Sequence, residues 1–135
     1  MPKLTDLDAK LIRYEERPAT GEVIVGDYDT WHARGCPTKE ETVQREWRVT
    51  VEKLADAQGV QFQCPKCLKS NGHYVSITFA HRDVPDHLGS INEDDEPTRW
   101  RVTGGTGLHD LSTQPSIWLK GTCGWHGFIT NGEAK

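Results

Sequence analysis

Two short turns that carry cysteines, separated by 55 residues, constrain this sequence more than any other feature. The first turn reads CPKC at residues 64–67, and the second reads CGWH at residues 123–126. Two residues between ligands allow a tight turn to aim both side chains at one ion. Thiolate and imidazole ligands favour tetrahedral zinc over hard cations. The sequence therefore predicts one zinc ion, bound by Cys64, Cys67, Cys123 and His126.

Other uses of the cysteines stay open at this point. A redox-active Cys-x-x-Cys pair usually precedes a helix, whereas the residues after Cys67 predict a turn. Buried cysteines without a metal are a second alternative. Cys36 could replace His126 as the fourth ligand, or form a second site with His32. We favour His126 because only two residues separate it from Cys123, and four protein ligands predict a structural zinc rather than a catalytic one.

Composition bounds the class of protein. A chain of 135 residues suits one domain, and hydrophobic residues make up only 35% of it, so a metal would help a modest core to fold. The formal net charge of −4 argues against nonspecific coating of DNA. The N-terminus lacks an apolar run and no apolar stretch reaches about 18 residues, so we expect neither a signal peptide nor a membrane span. We expect a reducing compartment and no disulfides.

Alternating apolar and polar residues predict several strands. The patterns with a period of two cover residues 47–51, 74–79 and 99–103, and short apolar runs at 117–119 and 127–129 add two more strands. A capping box of Thr38 and Glu41 predicts a short helix from Lys39 to about Gln44, and residues 53–57 predict one helical turn.

These patterns together predict a single α+β domain, residues 1–135, that is mainly β. We expect a small antiparallel sheet with zinc-ribbon-like knuckles and one or two short helices. Residues 1–44 are predicted to form an irregular N-terminal part, and residues 45–133 a zinc-clamped, β-rich core.

Motifs for catalysis are weak. No serine lies in a Gly-x-Ser-x-Gly context, and no His-x-Glu accompanies the cysteines as it does in zinc deaminases. We therefore expect no catalytic residues. If the metal keeps an open position instead, His109 and Asp110 are the candidates for a zinc-dependent hydrolase.

Basic and aromatic side chains near the knuckles predict a binding surface. Cations interleaved with aromatic rings suit nucleic acid, although alternation on a strand also fits tryptophans that pack in the core. The partner would be an unidentified protein or nucleic acid that meets the loop at residues 104–110. The residues predicted to contact it are Lys66, Lys69, Arg99, Arg101 and Trp125.

Motifs in a fixed order give this chain a resemblance to a known family. They are GVQFQCPKC at residues 59–67, Trp100, GTGLHDL at 105–111, PSI at 115–117 and CGWHGFITNG at 123–132. With them, residues 55–133 resemble a small zinc-binding family of phages and prophages, a domain of unknown function at times labelled ammonia monooxygenase. That label lacks support, because the sequence has neither a copper-type histidine cluster nor a membrane span.

The resemblance implies a phage origin and a metal knuckle. It also implies an interaction or processing role, because related domains occur beside bacterial genes for ubiquitin-like conjugation. We therefore expect a phage accessory protein, stabilised by structural zinc, that binds a protein or nucleic acid in the host cytoplasm. The alternatives are the zinc-dependent hydrolase and a structural component of the virion.

Overall fold

Strand-forming sequence dominates the fold, as the alternating patterns predict. The computed structural model describes residues 2–68 and 72–135. Ten strands lie along them: β1 Lys10–Ile24, β2 Thr38–Val51, β3 Gly59–Gln63, β4 Tyr74–Thr78, β5 Arg101–Gly104, β6 Ser112–Gln114, β7 Ile117–Trp118, β8 His126–Gly127, β9 Ile129–Thr130 and β10 Glu133–Ala134. The helices are short: α1 at Tyr28–Ala33 and 3-10 turns at Leu4–Asp6 and Leu54–Asp56. The predicted mainly β class with a small antiparallel sheet is confirmed.

The largest sheet has the strand order β2-β1-β3-β4. Strands β3 and β4 are antiparallel over five residue pairs, from Gly59 opposite Thr78 to Gln63 opposite Tyr74. Side chains on a strand alternate between the two faces, so Val60 and Phe62 are buried while the glutamines between them are half-buried. The end of this ladder at Gln63 and Tyr74 leads directly into the first cysteine turn, residues 64–67.

Three two-stranded antiparallel pairs follow toward the C-terminus: β5 with β6, β7 with β8, and β9 with β10. Together with β3 and β4 they enclose the main core. A fully buried Leu, Ile or Phe side chain contributes about 1.5–3 kcal/mol relative to an exposed one. Such side chains in this core include Leu4, Leu7, Phe62, Ile77, Phe79, Leu111, Ile117 and Ile129.

The chain divides into two compact units. One unit combines residues up to Tyr14 with Arg48–Lys135, and the other is Glu15–Trp47. The second unit holds α1, whose first turn is capped by the Asp27 carboxylate, which accepts a hydrogen bond from the N–H of Thr30 (2.8 Å). Within that unit the Arg17 guanidinium lies 5.4 Å from the ring centroid of Trp47.

The predicted irregular part at residues 1–44 is therefore wrong in its local structure. Strand β1 runs without a break from Lys10 to Ile24, and residues 38–51 form β2, so the predicted helix from Lys39 to Gln44 is wrong as well. A capping box stabilises a helix only locally, whereas a long strand beside β1 gains ladder hydrogen bonds at alternate residues along its length. The predicted helical turn at residues 53–57 is confirmed as the 3-10 turn Leu54–Asp56.

No helix among the described residues has both the length and the apolar character needed to cross a membrane.

Candidate functional site

Four side chains converge where the two cysteine turns meet. Cys64, Cys67, His73 and Cys123 place their ligand atoms within 4.8 Å of one another. The sulfurs of Cys64 and Cys123, far apart in sequence, are 3.6 Å apart. Cys64 is fully buried and the other three are half-buried. This cluster could hold a metal ion.

Backbone hydrogen bonds at the end of the β3–β4 ladder place the first three side chains. Gln63 and Tyr74 are the last paired residues of the ladder. One step beyond them, the N–H of Cys64 donates to the carbonyl of His73 (2.9 Å). The N–H of Gly72 closes the knuckle on the carbonyl of Cys67 (3.0 Å). The ladder therefore delivers His73 to the cysteines as a direct continuation of the strand register.

A second turn, at residues 119–125, supplies Cys123. The N–H of Leu119 donates to the carbonyl of Trp125 (2.8 Å), and the N–H of Gly124 donates to the carbonyl of Leu119 (3.0 Å). The ammonium of Lys66 joins the two turns by donating to the carbonyl of Cys123 (2.6 Å). The two knuckles are thus linked by hydrogen bonds of the polypeptide.

The three thiols differ in acidity. Burial raises the pKa of the Cys67 thiol to about 11, and the adjacent Cys123 and Cys64 side chains add to this rise. A hydrogen bond from the backbone N–H of Trp125 lowers the pKa of Cys123 to about 6. The polypeptide by itself thus favours a thiolate at Cys123, and a bound cation would favour the thiolate form at every cysteine of the cluster.

The surroundings of His73 also fit a metal at this cluster. The Nε2 atom of His73 is buried, and it has no hydrogen-bond partner among the described residues. A buried polar atom without a partner costs about 1–3 kcal/mol, which coordination to a metal would remove. Three thiols and one imidazole are also a ligand set typical of closed zinc sites.

His126, the predicted fourth ligand, lies outside this cluster, and His73 takes its place. Trp118 and His126 are paired residues of β7 and β8, and the imidazole of His126 stacks on the ring of Trp118. Its Nε2 atom lies 2.9 Å from the hydroxyl oxygen of Ser116. The prediction from the local Cys-x-x-His spacing is therefore wrong, because strand pairing rather than the turn directs this side chain.

Ser116 and His126 form a hydroxyl–imidazole pair across the β7–β8 hairpin. Ser116 immediately precedes β7 and is half-buried, whereas His126 is exposed. The indole N–H of Trp100 donates to the carbonyl of Ser116 (3.3 Å), which fixes this peptide on the core. A serine next to a histidine at hydrogen-bond distance is the arrangement that activates a hydroxyl as a nucleophile.

A cavity of about 480 Å³ opens beside the serine. Its walls combine the exposed side chains of Ile91 and Trp118 with the ion pair of Glu93 and Lys120, whose charged atoms are 3.4 Å apart. Its lining therefore mixes apolar rings with several polar side chains, and Ser116 is one of the lining residues.

His109 and Asp110 do not belong to either group. Their closest charged atoms are 3.7 Å apart, and the Asp110 carboxylate accepts hydrogen bonds from the N–H groups of Thr106 (2.8 Å) and Gly107 (3.0 Å). These bonds lower the pKa of Asp110, that of Thr106 most strongly. Asp110 thus organises the loop at residues 104–110, and among the described residues neither side chain is part of the metal cluster.

The predicted partner-binding residues have varied surroundings. Trp125 is buried and packs edge-on against Phe62, with 6.0 Å between ring centroids, so it is a core residue. Arg99 donates to four backbone carbonyls of its own loop, at Pro85, Leu88, Ser90 and Thr98. Arg101 is exposed, and the ammonium of Lys66 donates to the carbonyl of Cys123 in the other knuckle. Lys69 lies outside the described residues.

Sequence reasoning missed two residues, and each had a signal. His73 follows Cys67 with five residues between them, so CPKC and His73 form one continuous ligand motif. Ser116 lies outside any Gly-x-Ser-x-Gly context, and no local pattern marks it. The two strands predicted at residues 117–119 and 127–129 were an indirect signal, because pairing them as a hairpin brings residues 116 and 126 near each other.

Comparison with known proteins adds a family to this geometry. The sequence profile of the bacterial ubiquitination-like system serine protease (BubE) family matches residues 36–135. Neither the curated proteins nor the solved structures give a match. The matched segment contains both the metal cluster and the Ser116–His126 pair. On this match over most of its length, the chain belongs to the BubE family of bacterial ubiquitination-like system serine proteases.

Proposed function

We propose that this protein is a serine protease of a bacterial ubiquitination-like system, with Ser116 as nucleophile and His126 as general base. The observation that carries the proposal is the distance of 2.9 Å between the Ser116 hydroxyl oxygen and Nε2 of His126. The family match supports proteolysis by a serine nucleophile. Such a nucleophile needs a histidine base within hydrogen-bond distance of its hydroxyl, as His126 is here.

The reaction would proceed in two acyl-transfer steps. As the hydroxyl oxygen of Ser116 attacks the carbonyl carbon of a peptide bond, Nε2 of His126 takes the hydroxyl proton. The imidazolium then gives that proton to the departing amine, which leaves an acyl ester on Ser116. A water molecule, deprotonated by the same imidazole, hydrolyses the ester and restores the serine. The cavity beside Ser116 would hold the substrate segment next to the scissile bond.

We further propose that the metal cluster holds one zinc ion with a structural role. Cys64, Cys67, His73 and Cys123 would fill the four positions of a tetrahedral ion, which leaves none open for substrate or water. Zinc would tie the β3–β4 ladder to the turn that precedes β8, and hence to His126. This arrangement favours a serine mechanism over the zinc-dependent hydrolase that His109 and Asp110 would serve.

A fluorophosphonate probe tests the nucleophile directly. The serine oxygen attacks phosphorus, a phosphorus–oxygen bond forms, fluoride leaves and the histidine takes the proton. We expect labelling at Ser116 by peptide mass spectrometry, loss of labelling in Ser116→Ala and strongly reduced labelling in His126→Ala. Thr113→Ser, a buried substitution within β6, serves as a folded control. Labelling at another serine, or none in the metal-loaded protein, would overturn the assignment.

A further inference from the structure

The ring of Trp118 lies against the imidazole of His126. The ring centroids are 5.3 Å apart and the planes are inclined by 22°, which is a stacked arrangement. We propose that Trp118 is the positioning residue of the Ser116–His126 pair, and that it holds the imidazole in the orientation that a carboxylate fixes in other serine proteases. This inference rests on the proposed function, and it concerns how the base is oriented.

The base needs such a support because of its exposure. His126 is exposed, and two χ angles leave an unsupported imidazole several rotamers, few of which reach the Ser116 hydroxyl. Among the described residues no carboxylate forms a hydrogen bond or ion pair with His126, whose imidazole interacts with the Ser116 hydroxyl and the Trp118 ring. The stack is therefore the interaction that selects the productive rotamer.

Strand pairing places the two rings opposite each other. Trp118 and His126 are direct partners in the antiparallel β7–β8 pair, next to the pair Ile117 and Gly127. Directly opposite residues have Cβ atoms about 4.5–5.5 Å apart, which is close enough for aromatic contact on one face. Ile117 is buried, so the register that aligns the two rings is anchored in the core.

A second set of contacts holds the Trp118 ring itself. The ammonium of Lys120 lies 5.3 Å from the ring centroid of Trp118 and 3.4 Å from the carboxylate of Glu93. The exposed fraction of Trp118 is 57%, and its ring contacts both this cation and the imidazole. An exposed cation–π contact contributes about 0.5–1 kcal/mol, a modest restraint on an already stacked ring.

Trp118 also lines the cavity beside Ser116, so it could contact a bound ligand directly. The experiment must therefore separate ligand binding from the positioning of His126. A wall residue would change how tightly a ligand binds, whereas a positioning residue changes the reactivity of the bound complex. A small alkyl fluorophosphonate reports both quantities, because its saturation constant reflects binding and its limiting rate reflects reaction with Ser116.

The test compares Trp118→Ala and Trp118→Phe in the full-length, metal-loaded chain. We expect Trp118→Ala to lower the limiting labelling rate roughly tenfold to a hundredfold, because a misoriented base loses part of the rate gain from general base catalysis. The saturation constant should change little. Trp118→Phe keeps a ring opposite His126 and should retain most of the rate. Phe128→Ala removes another exposed aromatic ring, outside the pair, and should leave both constants unchanged.

A measurement independent of activity separates this inference from the proposed function. In proton NMR, stacking on an indole should shift the His126 ring protons upfield, and Trp118→Ala should remove that shift while Phe128→Ala keeps it. If the shift is present but no protein labels, the proposed function fails and the stack stands. If Trp118→Ala keeps the labelling rate, or changes only the saturation constant, the positioning role is overturned.

Discussion

The hydroxyl oxygen of Ser116 lies 2.9 Å from Nε2 of His126 across the β7–β8 pair, although nine residues lie between the two in sequence. The turn inside this hairpin carries Cys123, a member of the metal cluster. One loop therefore serves two sites. A metal at the cluster would restrain the segment that ends at the base, so stability and activity should depend on the same cation.

The first prediction concerns the two members of the pair. We expect Ser116→Ala and His126→Ala each to lower peptide-bond cleavage by roughly 10⁴-fold to 10⁶-fold, as in other serine proteases, since nucleophile and base act as a unit. The double variant should be hardly worse than either single one. Cleavage of a fluorogenic peptide library by the metal-loaded proteins measures this, with metal content as the control for folding. Additive losses would show that the two residues act separately.

The two histidines should differ in their effect on metal content. We expect His73→Ala to lose bound zinc and to melt at a lower temperature, because it removes a coordinating atom and leaves three thiols. His126→Ala should keep one zinc per chain and a melting temperature close to that of the parent protein, because its ring contacts Ser116 and Trp118. Plasma emission spectrometry on protein purified without oxidation gives the zinc content. Loss of zinc in His126→Ala would restore it as a ligand.

Asp110 should make stability depend on acid pH. Hydrogen bonds from the N–H groups of Thr106 and Gly107 lower its pKa in the folded state below the ordinary value of 3.8. A depressed carboxyl pKa adds stability that is present above the ordinary value and is lost as pH falls through the folded value.

We therefore expect Asp110→Asn to be less stable than the parent protein at pH 7, and the difference to shrink below about pH 4. Urea unfolding of both proteins at each pH measures it. Since both proteins carry the same metal cluster, acid release of the metal affects them alike and cancels in the difference. A difference that stays constant from neutral to acid pH would contradict the role of Asp110.

Two glycines with the same backbone conformation give a matched test of packing. Gly132 and Gly121 have φ near +80°, where a side chain is strained. A Cβ at Gly132 would collide with the carbonyl of His109, whereas a Cβ at Gly121 would meet no atom within 4 Å. We expect Gly121→Ala to cost about 1 kcal/mol for the dihedral strain alone, and Gly132→Ala to cost clearly more. Denaturant unfolding checks this, and equal costs would refute the close contact.

The sequence predicted the parts of this fold that depend on local patterns. Period-two alternation identified the strand around Val75 and Ile77, and a short apolar run identified the strand at Trp118. Soft ligands in short turns identified Cys64, Cys67 and Cys123. These inferences succeed because burial of one strand face and the geometry of a tight turn are properties of a few adjacent residues.

The remaining features arise from pairing between distant segments. The fourth member of the metal cluster depends on which residue lies opposite Cys64 beyond the β3–β4 ladder, and strand register selects His73. The partner of His126 likewise depends on the register of β7 and β8. The first part of β2 was missed because the capping box at Thr38 is a local signal, and pairing with β1 outweighs it.

The expectations about biological context stay predictions. They are the phage origin, the role as an accessory binding protein or virion component, and location in the host cytoplasm. A retardation assay with DNA and RNA at two salt concentrations tests the nucleic-acid partner, because binding driven by phosphate contacts weakens steeply with salt. Arg101→Ala is the matched variant for such binding, since this exposed side chain forms a long hydrogen bond of 3.3 Å to Gln114.

The central claim is that His73 binds the metal and His126 serves Ser116. A crystal structure with anomalous diffraction at the zinc edge tests this claim most directly. The account predicts a single anomalous peak within coordination distance of Cys64, Cys67, His73 and Cys123, with Nε2 of His126 on the Ser116 hydroxyl. A peak coordinated by His126 would contradict this account. So would the absence of any metal peak among the side chains of Cys64, Cys67, His73 and Cys123.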